Sequence, residues 1–137
     1  MKKVIIKTDG GALKNPGRAV SAFVIECNDE LVCIHSEYIG ETTNNVAEYK
    51  AVIMSLKYVK ERYKNAKFVL QSDSQLVVRQ LSGDYKVKAK NLFPLWQEAK
   101  DLVEKLKVEV RWVPREENKV ADFLVGIIRR GKSGQDL

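Results

Sequence analysis

The spacing of apolar positions changes repeatedly along the chain, and each change predicts an element. KVIIKTD (Lys3–Asp9) has an apolar centre and ends on an acid before Gly10–Gly11, which predicts a buried strand running into a turn. Asn15-Pro16-Gly17 marks a second turn. AVSAFVIEC and LVCIHSEYI are strand-like runs around Asn28-Asp29-Glu30, the pattern of a hairpin. From Asn44 to about Tyr63 the period lengthens: Val52, Ile53, Leu56 and Val59 recur at helical spacing, with Lys57, Lys60 and Glu61 on the other side. The strand Phe68–Ser72 and a short helix from Ser74 to about Leu81 follow. SGDYKVKAKN reads as a polar, basic connector. A helix from about Leu92 to Leu106 comes next, with Pro94 tolerated in its first turn. VEVRWVP is a strand ending at Pro114, and NKVADFLVGIIRR is a helix with Asn118 as its cap. Residues 1–130 then make one α/β domain with a central sheet covered by helices, and 131–137 a frayed tail.

Composition narrows the setting. At 137 residues the chain can build one good core. No apolar run approaches the ~20 residues needed to cross a bilayer, and charge interrupts the N-terminal apolar stretch too early for a signal peptide. A cytoplasmic protein with no membrane partner is expected. The net charge of +6 favours a polyanionic partner without identifying one. Cys27 and Cys33 flank the hairpin turn, so a cross-strand disulfide is geometrically open, but free thiols are expected in a reducing compartment. The single histidine, His35, reads as a strand-face side chain rather than a ligand. Trp96 reads as core more readily than as surface.

The candidate chemistry lies in four acids placed where burial threatens. Asp9 and Asp73 end apolar strands, Glu48 shares the buried stripe of Val52 and Leu56, and Asp122 sits in the apolar VADFLVG. Singly, each has an ordinary explanation: a turn residue, a helix cap, half of an internal ion pair. Together they invite another, because ligands gather at the carboxyl ends of strands in α/β sheets. Four acids facing one crevice would repel one another, and a divalent cation with oxygen ligands, Mg²⁺ or Mn²⁺, would resolve that repulsion. An acidic metal cluster in a basic chain suggests phosphate chemistry.

TDGG…NPG, TTNNVAEY, SDSQLVV, GDYKVKAKN and WVPREENKVAD occur in the order and approximate spacing of ribonuclease HI. Over about Ile5 to Asp122 the chain resembles the compact, archaeal-type branch of that family. The resemblance implies a ribonuclease H-like fold, with a five-stranded mixed sheet flanked by helices. It also implies a monomeric endonuclease that cuts the RNA strand of RNA/DNA hybrids, using two Mg²⁺ ions with Mn²⁺ as a substitute and leaving 5′-phosphate and 3′-hydroxyl ends. Double-stranded RNA is a further substrate compatible with A-form geometry. Asp9, Glu48, Asp73 and Asp122 fall on the family's metal-binding catalytic acids. Gly11, Thr43, Asn44, Asn45 and Gln75 fall on substrate-contacting positions, the asparagines and Gln75 toward the minor groove and Thr43 toward a DNA phosphate. Helix capping, a turn or a solvated face are the ordinary alternatives for these polar residues. Many relatives carry a histidine in the loop before the last acid; here the matching residue is Arg115, to which phosphate or leaving-group electrostatics is assigned. Some relatives insert a basic helix after the short one. This chain has only its connector, where Lys86, Lys88 and Lys90 alternate and would present one basic edge to a backbone.

Overall fold

The computed structural model describes residues 1–132. Five strands, β1 (Lys3–Ala12), β2 (Gly17–Cys27), β3 (Glu30–Thr42), β4 (Lys67–Ser72) and β5 (Glu109–Trp112), form one sheet in the order β3-β2-β1-β4-β5. The first three are antiparallel, and β4 and β5 run parallel to β1. Parallel neighbours need long crossovers. Helix α1 (Asn44–Arg62) leads from β3 to β4, and α2 (Gln75–Leu81) with α3 (Phe93–Leu106) supplies the second crossover, before α4 (Lys119–Lys132) closes the described chain. The expected mixed five-stranded sheet flanked by helices is the fold observed.

Side-chain alternation assigns the two faces. Phe23 and Ile25 join Val4, Ile6, Phe68 and Leu70 in the main core, against Tyr49, Val52, Leu56 and Val59 of α1 and Leu102 and Val103 of α3. Val20 and Ala22 point to the opposite face, where they pack with Val125 of α4. Trp96 packs against the main core and its indole donates to the Gln80 carbonyl at 3.0 Å, as a half-buried tryptophan should. His35 lies on β3, with Nε2 2.8 Å from a Glu37 carboxylate oxygen. Cys27 and Cys33 are free thiols: in the hairpin register Cys33 faces Ile25 and Cys27 faces Glu30, not each other. Asn28 and Asp29 both take positive φ, the requirement of a tight hairpin turn. Among the described residues no helix is long and apolar enough to cross a membrane.

Several expectations need correction. Gly10–Gly11 is not a turn: β1 continues through both glycines, with Asp9–Ala12 paired to Ala22–Ala19 of β2. The ladder supplies partners for the backbone that a turn would have left exposed. A short 3₁₀ turn, Arg115–Glu117, intervenes before α4, so Asn118 precedes that helix but turns its side chain into the sheet rather than capping. Helix α4 runs past 130 to Lys132, so the boundary placed at 130 falls inside it; the remainder of the expected tail, 133–137, lies outside the described residues.

Candidate active site

The parallel pairing of β1 with β4 stops at Thr8 and Ser72, so Asp9, which lies inside β1 and does not end its strand as expected, stands beside Asp73 at the carboxyl end of β4. Helix α1 supplies the third acid. Its N-terminal turn lies against β1 because Gly10 has no side chain: a Cβ there would stand 2.3 Å from the Ala47 carbonyl carbon. The Ser21 hydroxyl donates to the Ala47 carbonyl at 2.7 Å and fixes the same turn against β2. Glu48 is therefore carried to Asp9 and Asp73. One ligand oxygen from each of Asp9, Glu48 and Asp73 lies within 4.8 Å of the others.

Burial and mutual repulsion both act on this trio. Asp9 is buried, and desolvation, reinforced by the charges of Asp73 and Asp122, raises its pKa from 3.8 to about 7. Glu48 is raised well above its ordinary value, first by desolvation and then by Asp9 and Asp73. The Gly10 N–H and the Arg115 charge oppose both shifts without cancelling them. Clustered, desolvated carboxylates with oxygen-only donors fit a hard divalent cation, whose charge would offset the repulsion.

The fourth acid differs from expectation. Asp122 stands in the first turn of α4 and is exposed, not buried. It is not in the close trio, although its charge reaches Asp9. Arg115 is also exposed, and its charge reaches Asp9 and Glu48.

Several polar residues at this edge already have structural duties. Thr43 caps α1, its hydroxyl accepting from the Val46 N–H at 3.3 Å. The Asn44 side-chain oxygen accepts from the Ala12 N–H at 2.7 Å, while its own N–H donates to the Asn15 side chain at 3.0 Å. Asn45 is half-buried on the first turn of α1. Gln75 is exposed at the start of α2, whose cap is Ser74 and not Asp73. Gly11 is buried opposite Val20 in the β1–β2 ladder, and the close approach of α1 is made at Gly10 instead. Lys86, Lys88 and Lys90 are exposed on irregular chain.

Three contributors were not singled out from sequence. Gly10 was read only as a turn residue, although a glycine after a strand-end acid can also mark close backbone approach. Asn118 was read only as a cap. Trp112, half-exposed at the end of β5, donates its indole N–H to the Asp73 carbonyl at 3.2 Å, and nothing in its sequence context signals that contact.

The Reverse transcriptase-like family matches residues 7–126. The bifunctional protein Rv2228c of Mycobacterium tuberculosis is 38% identical over 125 residues, covering 89% of this chain and 34% of that protein. The chain thus spans about a third of the length of its mycobacterial relatives. Ribonuclease H of Campylobacter concisus is 32% identical over 120 residues, covering 82% of this chain and 80% of that enzyme. Among solved structures, LC11-RNase H1 in complex with RNA/DNA hybrid superposes with a TM-score of 0.85 at 38% identity, covering 90% of this chain and 94% of that one.

Proposed function

The chain belongs to the ribonuclease H family, and on that premise we propose that it is an endonuclease hydrolysing the RNA strand of RNA/DNA hybrids. The observation that carries the reading is the convergence of Asp9, Glu48 and Asp73 within 4.8 Å where the pairing of β1 with β4 ends. These three would hold divalent cations, with Asp122 contributing from the first turn of α4. When bound, two such ions, Mg²⁺ or Mn²⁺, would supply activation of a water and stabilisation of the leaving oxygen, with 5′-phosphate and 3′-hydroxyl ends as the expected products.

The chain's own residues bind and orient. Asn44, Asn45 and Gln75 face the minor groove, where A-form width and 2′-hydroxyls are read in place of sequence, and Gly11 is a further substrate-contacting position. Asn44 has one side-chain group committed to Ala12, which fixes the direction in which its amide N–H₂ is offered. Thr43 approaches a DNA phosphate, and Lys86, Lys88 and Lys90 track the backbone. Arg115, whose charge reaches Asp9 and Glu48, stabilises negative charge at the reacting phosphate. The unit responsible is the single domain from β1 through α4, acting as a monomer in the cytoplasm.

The test is a gel assay on one labelled RNA strand, presented as hybrid, as duplex RNA and as single strand. It is run with Mg²⁺, with Mn²⁺ and with chelator, beside Asp73→Asn. Internal cuts in the hybrid that need metal and vanish in Asp73→Asn are the expected result. The duplex-RNA arm decides whether A-form geometry alone suffices. Hybrid binding with no cleavage under either metal would instead make the domain a nucleic-acid-binding module.

A further inference from the structure

Asn118 has no part in the mechanism above, yet it is among the most enclosed polar residues of the chain, 1% exposed. Its Nδ2 donates to the Thr8 carbonyl at 2.8 Å and to a carboxylate oxygen of Asp73 at 3.3 Å. Both partners are pure acceptors, so the amide must present its N–H₂ group to them and not its oxygen. Thr8 precedes Asp9. One amide therefore bridges β1 at Thr8 to the carboxyl end of β4, beside two of the three clustered acids.

The main chain at Asp73 is held separately. The Trp112 indole donates to the Asp73 carbonyl at 3.2 Å, and the Val113 N–H donates to the Ser72 carbonyl at 2.9 Å. With the backbone fixed, side-chain rotation is the freedom left to Asp73, and the Asn118 contact restricts it. The backbone of Asn118 adds a second linkage. Its N–H donates to the Arg115 carbonyl at 2.9 Å, and its carbonyl accepts from the Asp122 N–H at 3.1 Å. The same residue thus closes the turn bearing Arg115 and opens the helix bearing Asp122.

Packing does not explain an asparagine here. Its Oδ1 is buried without a partner, as is the Thr8 hydroxyl, and an unpartnered buried acceptor is destabilising. We propose that Asn118 is a positioning residue, whose amide fixes the Asp73 carboxylate relative to Asp9 so that their oxygens are preorganised for a divalent cation. The inference rests on the reading of the acid trio as a metal site.

The test is calorimetric titration of the full chain with MgCl₂ and MnCl₂, without nucleic acid, for wild type, Asp73→Asn, Asn118→Ala, Asn118→Ser and Asn118→Asp. Thermal melts accompany each titration, and all are run where far-UV circular dichroism shows a native fold. Partners of this kind orient metal ligands at a value of about 10–100-fold in affinity, and that loss is expected for Asn118→Ala. Asn118→Ser, which retains one donor, should recover part of it and keeps the test decisive should the alanine variant not fold. Asn118→Asp turns an acceptor toward two acceptors and should lose at least as much as alanine. Cleavage by Asn118→Ala should approach the wild-type rate at saturating metal. Wild-type metal affinity in Asn118→Ala, with only a lower melting temperature, would overturn the proposal. Tighter binding by Asn118→Asp would do so as well, by making position 118 a ligand. A wild type that takes up neither metal would remove the metal reading itself, an outcome distinct from equal affinity in wild type and variant.

Discussion

The acid edge and the basic connector are both dense in charge, and the chain builds them in opposite ways. Asp9, Glu48 and Asp73 are anchored to two strands and a helix, with carboxylate oxygens within 4.8 Å of one another at a cost in desolvation. Lys86, Lys88 and Lys90 stand exposed on chain without regular structure. A reaction centre must hold its geometry before substrate arrives, and buried backbone supplies that. A phosphate grip needs only mobile charge in water, which costs little to display and is easily screened. Substitutions in the first region should therefore act nearly all-or-none, and in the second by degrees and with salt.

The largest effect should come from Asp9→Asn. It removes a metal-binding charge at constant size, and cleavage should fall on the order of 10³-fold or more, the value of several kcal/mol of transition-state stabilisation. Its stability should move the other way. In the metal-free protein the pKa of Asp9 is raised from 3.8 to about 7, so the folded state holds a proton that the unfolded state has released. That contribution is present below the unfolded pKa near 4 and is lost as pH rises through about 7, on the order of 4 kcal/mol when Asp9 alone is counted. Melts of wild type should show falling stability over that window without metal and recovery on adding Mg²⁺ at the upper end. Asp9→Asn should show a flatter profile and a higher metal-free melting temperature at pH 7.5. A wild-type profile that rises with pH through this window would contradict the buried, repelling trio.

An intermediate effect is expected at Arg115, which belongs to neither region. It is exposed like the lysines, yet its charge reaches Asp9 and Glu48. Arg115→Ala should slow turnover about 10–100-fold, comparable to removing one electrostatic stabiliser, with metal affinity largely kept. In the metal-free protein, losing its charge should also raise the pKa of both acids further, so that melts lose stability at a higher pH than in wild type. An unchanged rate would refute the role assigned to it.

The same contrast explains what could be read without coordinates. Strand and helix order was legible because burial against the main core writes its period into Val4, Ile6, Phe23 and Ile25 on the strands and Val52 and Leu56 on the helix. Asp9 and Asp73 were legible for the related reason that carboxylates interrupt apolar runs, although β1 runs on past Asp9 to Ala12. Asp122 misled because its neighbours in sequence are apolar while its own side of the first helical turn faces solvent. Gly10 misled because a glycine that admits a neighbouring helix looks, in one dimension, like a glycine that turns the chain. Asn118 was hidden because its partners, Thr8 and Asp73, are 110 and 45 residues away, and an asparagine before a helix has a sufficient local explanation as a cap.

The smallest effect, and the one that most sharpens the contrast, is expected from replacing Lys86, Lys88 and Lys90 together with alanine. None of the three is buried, so the melting temperature should stay within a degree or two of wild type. At saturating hybrid, kcat should be unchanged, because the acid edge is untouched. KM should rise at moderate salt, and the difference from wild type should shrink as salt is raised. Each lysine that neutralises a phosphate contributes about one unit to the slope of log affinity against log salt. The triple variant should therefore lose up to about three units of slope in a binding titration. A full loss would mean that all three lysines reach the backbone at once, which irregular chain can do only by adapting to the hybrid. A loss near one would mean that the alternating pattern presents a single lysine, and an unchanged slope would leave the grip on substrate to the helix N-termini beside the acids.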